Sequence, residues 1–216
     1  MAGIKIKAEA GTGSTELQGP ANTNNNTTLK LPSADGSANQ LLKTDGSGNL
    51  GWATDTNTSG ISNASVWRVN TNFTLTSSTS TITDNWEADD SYLAGSLGSA
   101  MTQSSGVFTF PSTGIWKVEM HLVWWVGTST AYQALTIEST PDNGTTWNGQ
   151  AHGYTHKSYN NSRDDYTTTS VTAILDITDT SNSKIRFVEN TSSGATAYCR
   201  SADNSTYAVF MKLGDT

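Results

Sequence analysis

The feature of this sequence that most constrains its fold is an alternation of apolar and polar residues within positions 106–125. Every second residue from position 116 to position 124 is large and apolar, and most residues between them are polar. Successive side chains of a β-strand point to opposite faces, so this spacing predicts a long strand with one buried face. Val123 and Trp125 make the second face apolar near the end of the strand. Such a strand lies either at the centre of a sandwich or against a partner chain.

Shorter alternating segments continue through residues 66–213, separated by turn-forming Gly, Pro, Asn and Asp residues. No stretch of useful length shows the period of an amphipathic helix. About eight short strands joined by turns predict an all-β head, either a β-sandwich or a jelly roll. Residues 148–165 lack an alternating pattern, and we predict that they form a polar loop.

The N-terminal residues 1–60 contain sharp turn signals but few large apolar side chains. The run from Asp45 to Asn49 is typical of a hairpin loop, and Leu50 follows it directly. Because so small a core cannot offset the chain entropy, we expect copies of the same segment to supply the missing core. We therefore predict an attachment and β-hairpin stalk segment at residues 1–60 and a jelly-roll head domain at residues 61–216. The predicted contacts between copies are Leu41, Leu50, Trp52, Val123 and Trp125.

The charge and the termini of the chain exclude some functions. The formal net charge is -7, and only 12 Lys and Arg residues are present, so no basic face for nucleic acid is expected. The single cysteine, Cys199, cannot form an intrachain disulfide, and we expect a buried or unreactive thiol. The N-terminus lacks a signal-peptide pattern, and no apolar run is long enough to span a bilayer. We therefore predict no membrane insertion.

Short motifs follow one another in a fixed order near the N-terminus. They are an LP pair, a DG pair and the run QLLKTDGSGNLGW, at residues 31–32, 35–36 and 40–52. This series resembles a segment of structural and tail-fibre-like proteins of bacteriophages, although Asn39 stands where that segment often has Gly. The resemblance implies a location in the virion, with residues 1–60 bound to other virion structural proteins.

Four elements also occur in a characteristic order in the second part of the chain. They are an FTF strand, a Gly-x-aromatic-x-apolar strand, an Asn-Gly turn and an aromatic-rich last strand, at residues 108–110, 114–118, 143–144 and 207–213. This order resembles the globular heads of the complement first component and tumour necrosis factor superfamily. Residues 179–182 replace the Gly-Asp turn that is usual before the penultimate strand. The resemblance implies a jelly-roll head that forms tight trimers.

Several groups of residues are candidates for chemistry, and each has a simpler structural interpretation. The box from Thr140 to Trp147 occurs once, whereas propeller folds repeat it, so a hairpin turn is favoured. His152 and His156 have a spacing suited to metal binding, but the absence of a third nearby ligand favours loop histidines. Solvation is likewise favoured over calcium binding for two acidic groups, namely Glu87, Asp89 and Asp90, and Asp164 and Asp165. No catalytic motif occurs, and we predict neither an enzyme nor a cofactor.

These observations predict a non-enzymatic virion structural protein, a homotrimeric fibre or appendage subunit whose head binds a host-surface glycan or protein. The residues expected to bind the receptor lie within residues 148–165 and combine aromatic rings, imidazoles and a guanidinium. They are His152, Tyr154, His156, Tyr159 and Arg163. Two alternatives remain open: a capsid-decorating or head-fibre protein without a receptor, and a depolymerase of surface glycans.

Overall fold

The computed structural model describes residues 4–7, 14–17, 28–55, 60–75, 79–89, 95–126, 130–157, 165–192, 197–199 and 204–216. The elements that these residues form are β-strands, which confirms the predicted all-β fold class. Contacts between Cα atoms divide the chain into two compact units, Met1–Asn57 and Thr58–Thr216. No helix within the described ranges has the length and apolarity needed to cross a membrane.

The described residues of the first unit form two antiparallel strand pairs. The pairs are β1 (Ile4–Lys7) with β2 (Ser14–Leu17), and β3 (Gln40–Thr44) with β4 (Leu50–Thr54). The second pair confirms the hairpin predicted around Asp45. The Oδ1 atom of Asp45 accepts hydrogen bonds from the backbone N–H groups of Ser47, at 2.7 Å, and Asn49, at 3.1 Å. These bonds close the loop by satisfying backbone donors locally.

The described strands of the second unit form two antiparallel sheets. Its strands are β5 (Asn63–Val69), β6 (Thr74–Leu75), β7 (Ser80–Thr81), β8 (Trp86–Ala88), β9 (Thr102–Ser104), β10 (Val107–Thr109), β11 (Gly114–Val126), β12 (Thr130–Thr140), β13 (Asn148–Lys157), β14 (Asp165–Ile177), β15 (Lys184–Thr191), β16 (Ala197–Cys199) and β17 (Tyr207–Gly214). The β11 sheet has the order β14-β11-β17-β5-β8, with β16 beside the end of β11 and β6 beside β16. The β12 sheet has the order β13-β12-β15-β10-β9, with β7 beside the end of β15. Crossovers between distant strands, such as β11 and β17, are typical of a jelly roll.

The long strand predicted from the alternation is β11. It pairs with β14 along its whole length, and its other edge pairs with β17 and β16. Its large apolar side chains at positions 116–124 are buried, and the side chains between them are half-buried. The strand is therefore central in its sheet, and one face of it forms the core.

The core between the sheets is rich in aromatic side chains. Phe108 lies at its centre, and the rings that contact it include those of Trp86, Phe187 and Phe210, at centroid distances of 5.0, 5.5 and 5.1 Å. The indole N–H of Trp86 donates a hydrogen bond to the carbonyl oxygen of Ile82 at 2.8 Å. A buried indole N–H without an acceptor would destabilise the core. With this hydrogen bond, burial of the Trp86 ring stabilises the fold without leaving an unpaired donor.

The prediction of a loop over residues 148–165 is wrong for its first part, which forms the edge strand β13. The side chains of His152 and Tyr154 are exposed on one face of this strand, whereas the other face carries the small residues Ala151 and Gly153. Because neither face has large aliphatic residues, the sequence shows no apolar alternation here. The strand is stabilised by its pairing with β12 and by close packing on its inner side.

Gly153 brings β13 into close contact with β14, the edge strand of the other sheet. A Cβ atom at this position would lie 2.7 Å from Cγ2 of Thr169 and 2.8 Å from Cγ1 of Val171. These distances are shorter than van der Waals contact, so only glycine fits without a shift of β14. The two sheets thus meet along this side of the sandwich.

Candidate functional site

The outer face of the β11 sheet carries apolar side chains interspersed with polar ones, and we call it the β11 face. Its half-buried apolar members are Val66, Ile115, Val123, Trp125, Val209 and Met211, and Ile174 beside them is 66% exposed. They lie on one face because cross-strand partners share it: Val66 pairs with Val209, and Val209 pairs with Glu119. The Nζ atom of Lys117 lies 2.7 Å from the carboxylate of Glu119 in the middle of this face. The β11 face includes both predicted contact residues of the head, Val123 and Trp125.

The first unit also exposes apolar side chains. Of the predicted contact residues, Leu41 is 55% exposed and Trp52 is 42% exposed, whereas Leu50 is half-buried. Leu29 and Leu31, at 59% and 75% exposed, are further examples that the sequence analysis did not single out. The described part of this unit therefore covers few of its own large apolar side chains.

The outer face of the β12 sheet, which we call the β12 face, is polar and aromatic. His152, Tyr154 and His156 are exposed along β13, and Tyr154 is exposed at 69%. The ring of Tyr132 approaches that of Tyr154 edge-on at a centroid distance of 6.4 Å. The hydroxyl of Tyr132 donates a hydrogen bond to Oδ1 of Asn190 at 3.2 Å. Tyr132 was missed from the sequence, because its proximity to Tyr154 depends on the pairing of β12 with β13.

The structure brings three of the five predicted receptor-binding residues together, but on a strand instead of a loop. His152 is oriented by Thr136, whose Oγ1 lies 3.0 Å from the imidazole Nδ1. Tyr159 and Arg163 lie outside the described residues.

Potential metal ligands do not converge in the part of the chain that the structure describes. No group of three or more His, Cys, Asp or Glu side chains there is arranged to hold a metal ion. Arg68 contacts two of the acidic candidates, with its Nη2 atom 3.1 Å from Oε2 of Glu87 and its Nε atom 4.0 Å from Oδ1 of Asp89. A guanidinium thus compensates their charge. Asp90 and Asp164 lie outside the described residues, as does the side chain of Asp165.

The box from Thr140 to Trp147 forms the turn between β12 and β13, which confirms the hairpin interpretation. Asp142 holds this turn together, because its Oδ1 accepts hydrogen bonds from Oγ1 of Thr140 at 2.6 Å and from the N–H of Thr146 at 2.9 Å. These bonds, the one from Thr140 foremost, lower the pKa of Asp142 to about 2. The Arg186 guanidinium lies 4.3 Å from the centroid of the Trp147 ring and packs against it.

A groove of about 390 Å³ lies beside this turn, between the ends of the two sheets. Polar residues from both sheets line it: Ser139, Asn148, Gln150, Asp176, Ser183 and Lys184. Buried apolar residues of β14, Leu175 and Ile177, complete the lining. Sequence reasoning did not find this site, because its residues come from four separate segments and no motif links them.

One end of the sandwich contains a buried polar cluster on the inner face of the β12 sheet. Gln133, Glu189 and Thr191 are at most 3% exposed, and each has a side-chain atom without a hydrogen-bond partner in the described part of the chain. Oε1 of Glu189 accepts a hydrogen bond from the hydroxyl of Ser80, while Oε2 is the unpaired atom. Burial raises the pKa of Glu189 from 4.5 to about 7, and the hydrogen bond from Ser80 opposes part of this rise.

Comparison with known proteins detects similarity only in structure. No family model matches the chain, and no curated protein sequence matches it. The structure of Eiger TNF from S. frugiperda aligns with a TM-score of 0.56 and 12% identity over 71% of this chain and 93% of that one. The structure of murine APRIL at pH 5.0 aligns with a TM-score of 0.50 and 9% identity over 70% and 98%. At these identities the comparison shows the fold alone: the head of this chain is a jelly roll similar to the folds of these two proteins.

Proposed function

We propose that this chain is a non-enzymatic subunit of a homotrimeric virion appendage, a fibre or tail protein of a bacteriophage. In this proposal residues 1–60 bind other virion structural proteins and form the stalk, and the jelly-roll head faces the host surface. The observation that carries the proposal is the group of apolar side chains on the β11 face.

The β11 face has the properties of a contact between copies of the chain. Exposed apolar side chains that are grouped on one face and accompanied by polar residues often mark a contact with another protein chain. Lys117 and Glu119 in the middle of this face pair with each other within one chain, so burying these two residues leaves neither charge uncompensated. Closed symmetry around an axis buries the same patch on every subunit and leaves none open.

The first unit supports an oligomer independently. Leu31 and Leu41 are 75% and 55% exposed, although a segment with so few apolar side chains needs all of them to form a core. Equivalent segments from neighbouring subunits would cover these side chains. The motif series within residues 31–52, which resembles bacteriophage structural proteins, supports placing that stalk in a virion.

The β12 face is the surface that we assign to recognition of the host. It lies on the opposite side of the sandwich from the β11 face, and it offers the exposed rings of Tyr154 and the imidazoles of His152 and His156. Aromatic faces and hydrogen-bonding rings suit sugars, which have both apolar faces and hydroxyl groups. A trimer would carry three copies of this site. Once one copy is bound, the others are held near the host surface at high effective concentration, so that weak individual sites give tight overall binding.

The oligomeric state is tested by sedimentation of the purified chain at micromolar concentration. We expect three times the mass of one chain. Val209→Lys should dissociate the trimer, because it places an ammonium in the contact between subunits. The head should remain folded, because Val209 lies on the outer face of its sheet and the ammonium would lie opposite Glu119. Thr178→Lys, on an exposed turn, is the matched control and should remain trimeric. A folded wild-type monomer, or a trimer unaffected by Val209→Lys, would refute the proposal.

The place of the subunit is tested by electron microscopy of particles labelled with gold-conjugated antibodies against the head. Label on a tail or fibre is the expected result. Label spread over the capsid shell would instead favour a capsid-decorating protein.

A further inference from the structure

We propose that the groove beside the Thr140–Trp147 turn is a saccharide-binding site. This inference deepens the proposed function and rests on it only for the source of the saccharide, a glycan of the host surface. The site is distinct from the exposed residues of the β12 face, since it lies between the two sheets.

The groove lies where the edge strands β13 and β14, which pack closely at Gly153, no longer cover each other. They are in contact at Gly153, whose position allows no Cβ atom beside Thr169 and Val171. Toward the start of β13 and the end of β14 the strands enclose about 390 Å³. This volume lies within the range of about 300–1,000 Å³ that is usual for sites of small ligands.

A β-bulge supplies one polar wall of the groove. Ala151 pairs with Ile137 and Gly149 pairs with Glu138, so Gln150 between them has no partner on β12. The extra residue shifts the alternation, and Asn148 pairs with Ser139 on the side that lines the groove. Bulges commonly redirect side chains in this way at functional sites.

The free hydrogen-bonding groups define the class of ligand. The side chains of Asn148 and Asp176 make no hydrogen bond or ion pair within the described residues, while Lys184 donates one bond to the carbonyl oxygen of Thr180 at 2.7 Å. An amide both donates and accepts, and a carboxylate accepts from two neighbouring hydroxyls. The opposite charges of Asp176 and Lys184 favour a ligand without net charge, because an ion of either sign would meet one like charge.

Apolar surface in the same groove completes the match to a sugar ring. Leu175 and Ile177 form a buried apolar part of its lining, and Pro141 lines the groove beside the turn. A pyranose presents C–H groups on its faces and hydroxyls around its edge, which corresponds to this mixture of aliphatic and polar lining. A purely apolar ligand would leave the amide and carboxylate unpaired and desolvated.

The walls of the groove are fixed before any ligand binds. Asp142 closes the turn on one side, and Asp179 closes the next turn by accepting a hydrogen bond from the N–H of Ser181 at 2.8 Å. The N–H of Asn143 donates to the carbonyl oxygen of Asn182 at 2.9 Å and joins the two turns. A preorganised site avoids the entropy cost of ordering loops on binding.

The test is ligand-observed saturation-transfer NMR on the full chain with the methyl pyranosides of glucose, galactose, mannose, rhamnose and N-acetylglucosamine. We expect at least one to bind with a Kd on the order of 1 mM. Asn148→Ala and Asp176→Ala should each weaken that binding about tenfold, since each removes hydrogen bonds to the ligand. Asp215→Ala, which changes an exposed aspartate outside the groove, is the control and should bind as the wild type does.

Ser183→Trp gives a second, independent variant, because the indole would fill the groove and abolish binding. Saturation transfer to none of the five sugars, or binding that survives both Asp176→Ala and Ser183→Trp in folded protein, would overturn the inference. The experiment uses purified chain and needs neither a trimer nor a particle. If the chain is a monomer and binds a sugar, only the proposed trimer is refuted. If the chain is a trimer and binds none of the sugars, only the proposed saccharide site is refuted.

Discussion

Glu189 makes the stability of the head depend on pH in a direction that can be predicted from its surroundings. The side chain is fully buried, its only hydrogen bond within the described residues comes from Ser80, and no cation pairs with it there. Its pKa rises from 4.5 in the unfolded chain to about 7 in the folded one. The folded state therefore binds this proton more tightly than the unfolded state does.

The sign and size of the effect follow from that difference. The contribution of Glu189 is most favourable below pH 4.5, where the carboxyl is protonated in both states. It is lost between pH 4.5 and about 7, because the unfolded chain releases this proton while the folded state, in which the carboxylate would have no partner cation among the described residues, still retains it. At about 1.4 kcal/mol per pKa unit, the loss amounts to roughly 3 kcal/mol.

Denaturant unfolding of the wild type and of Glu189→Gln at pH 4.5 and pH 8 measures this contribution. The amide has the same shape and can accept the hydrogen bond of Ser80 but cannot ionise. We expect similar stabilities at pH 4.5 and a variant more stable by roughly 3 kcal/mol at pH 8. The protein concentration must be the same throughout, since oligomerisation also shifts apparent stability.

Glu138→Gln is the matched control, because Glu138 lies on the neighbouring strand and pairs with Arg186 at 2.7 Å. Loss of that ion pair should lower stability at pH 8, the opposite of the change expected for Glu189→Gln. The reasoning would be refuted if the free energy difference between wild type and Glu189→Gln were the same at both pH values.

Three further predictions concern packing, turn structure and recognition. Gly153→Ala should lower the free energy of unfolding by about 1–3 kcal/mol through steric conflict with β14, whereas Gly214→Ala, with no atom within 4 Å of its new Cβ, should change it little. Asp142→Ala should lower the Tm measured by calorimetry, because the turn loses its central acceptor. Tyr154→Ala should reduce adsorption of particles to host cells while the Tm of the trimer stays unchanged. Unimpaired adsorption would contradict the assignment of the β12 face to host recognition.

Strands with large apolar residues on one face could be predicted from the sequence. The alternation around Trp116 identified β11, because burial of every second residue is sufficient to define a strand. The same reasoning failed for β13, whose inner face carries Ala151 and Gly153 in place of large residues. The close approach of β14 that selects glycine there is a long-range contact, and no local pattern records it.

In the candidate sites, too, features that depend on local interactions could be predicted from the sequence, and features that depend on long-range contacts could not. The turn at Asp142 was predictable because its hydrogen bonds join residues within the same turn. Tyr132 and Asp176 were missed because their relevance depends on strand register and on the bulge at Gln150. Glu189 was missed because it follows two apolar residues, Phe187 and Val188, which are both buried. The sequence of β15 therefore lacks the alternation that would place the carboxyl group on the inner face.

The position of β15 separates the pH-dependent group from the proposed saccharide site. Lys184 at the start of this strand lines the groove, whereas Glu189 lies five residues further along, in the buried cluster near its other end. At about 3.3 Å per residue the two side chains are separated by roughly 17 Å, and the aromatic core at Phe187 lies between them. Because the groove contains no atom of Glu189, its ionisation changes the stability of the head without changing the lining of the groove. Glu189→Gln should therefore leave the affinity for a bound pyranoside unchanged at pH 8, even where it raises the free energy of unfolding.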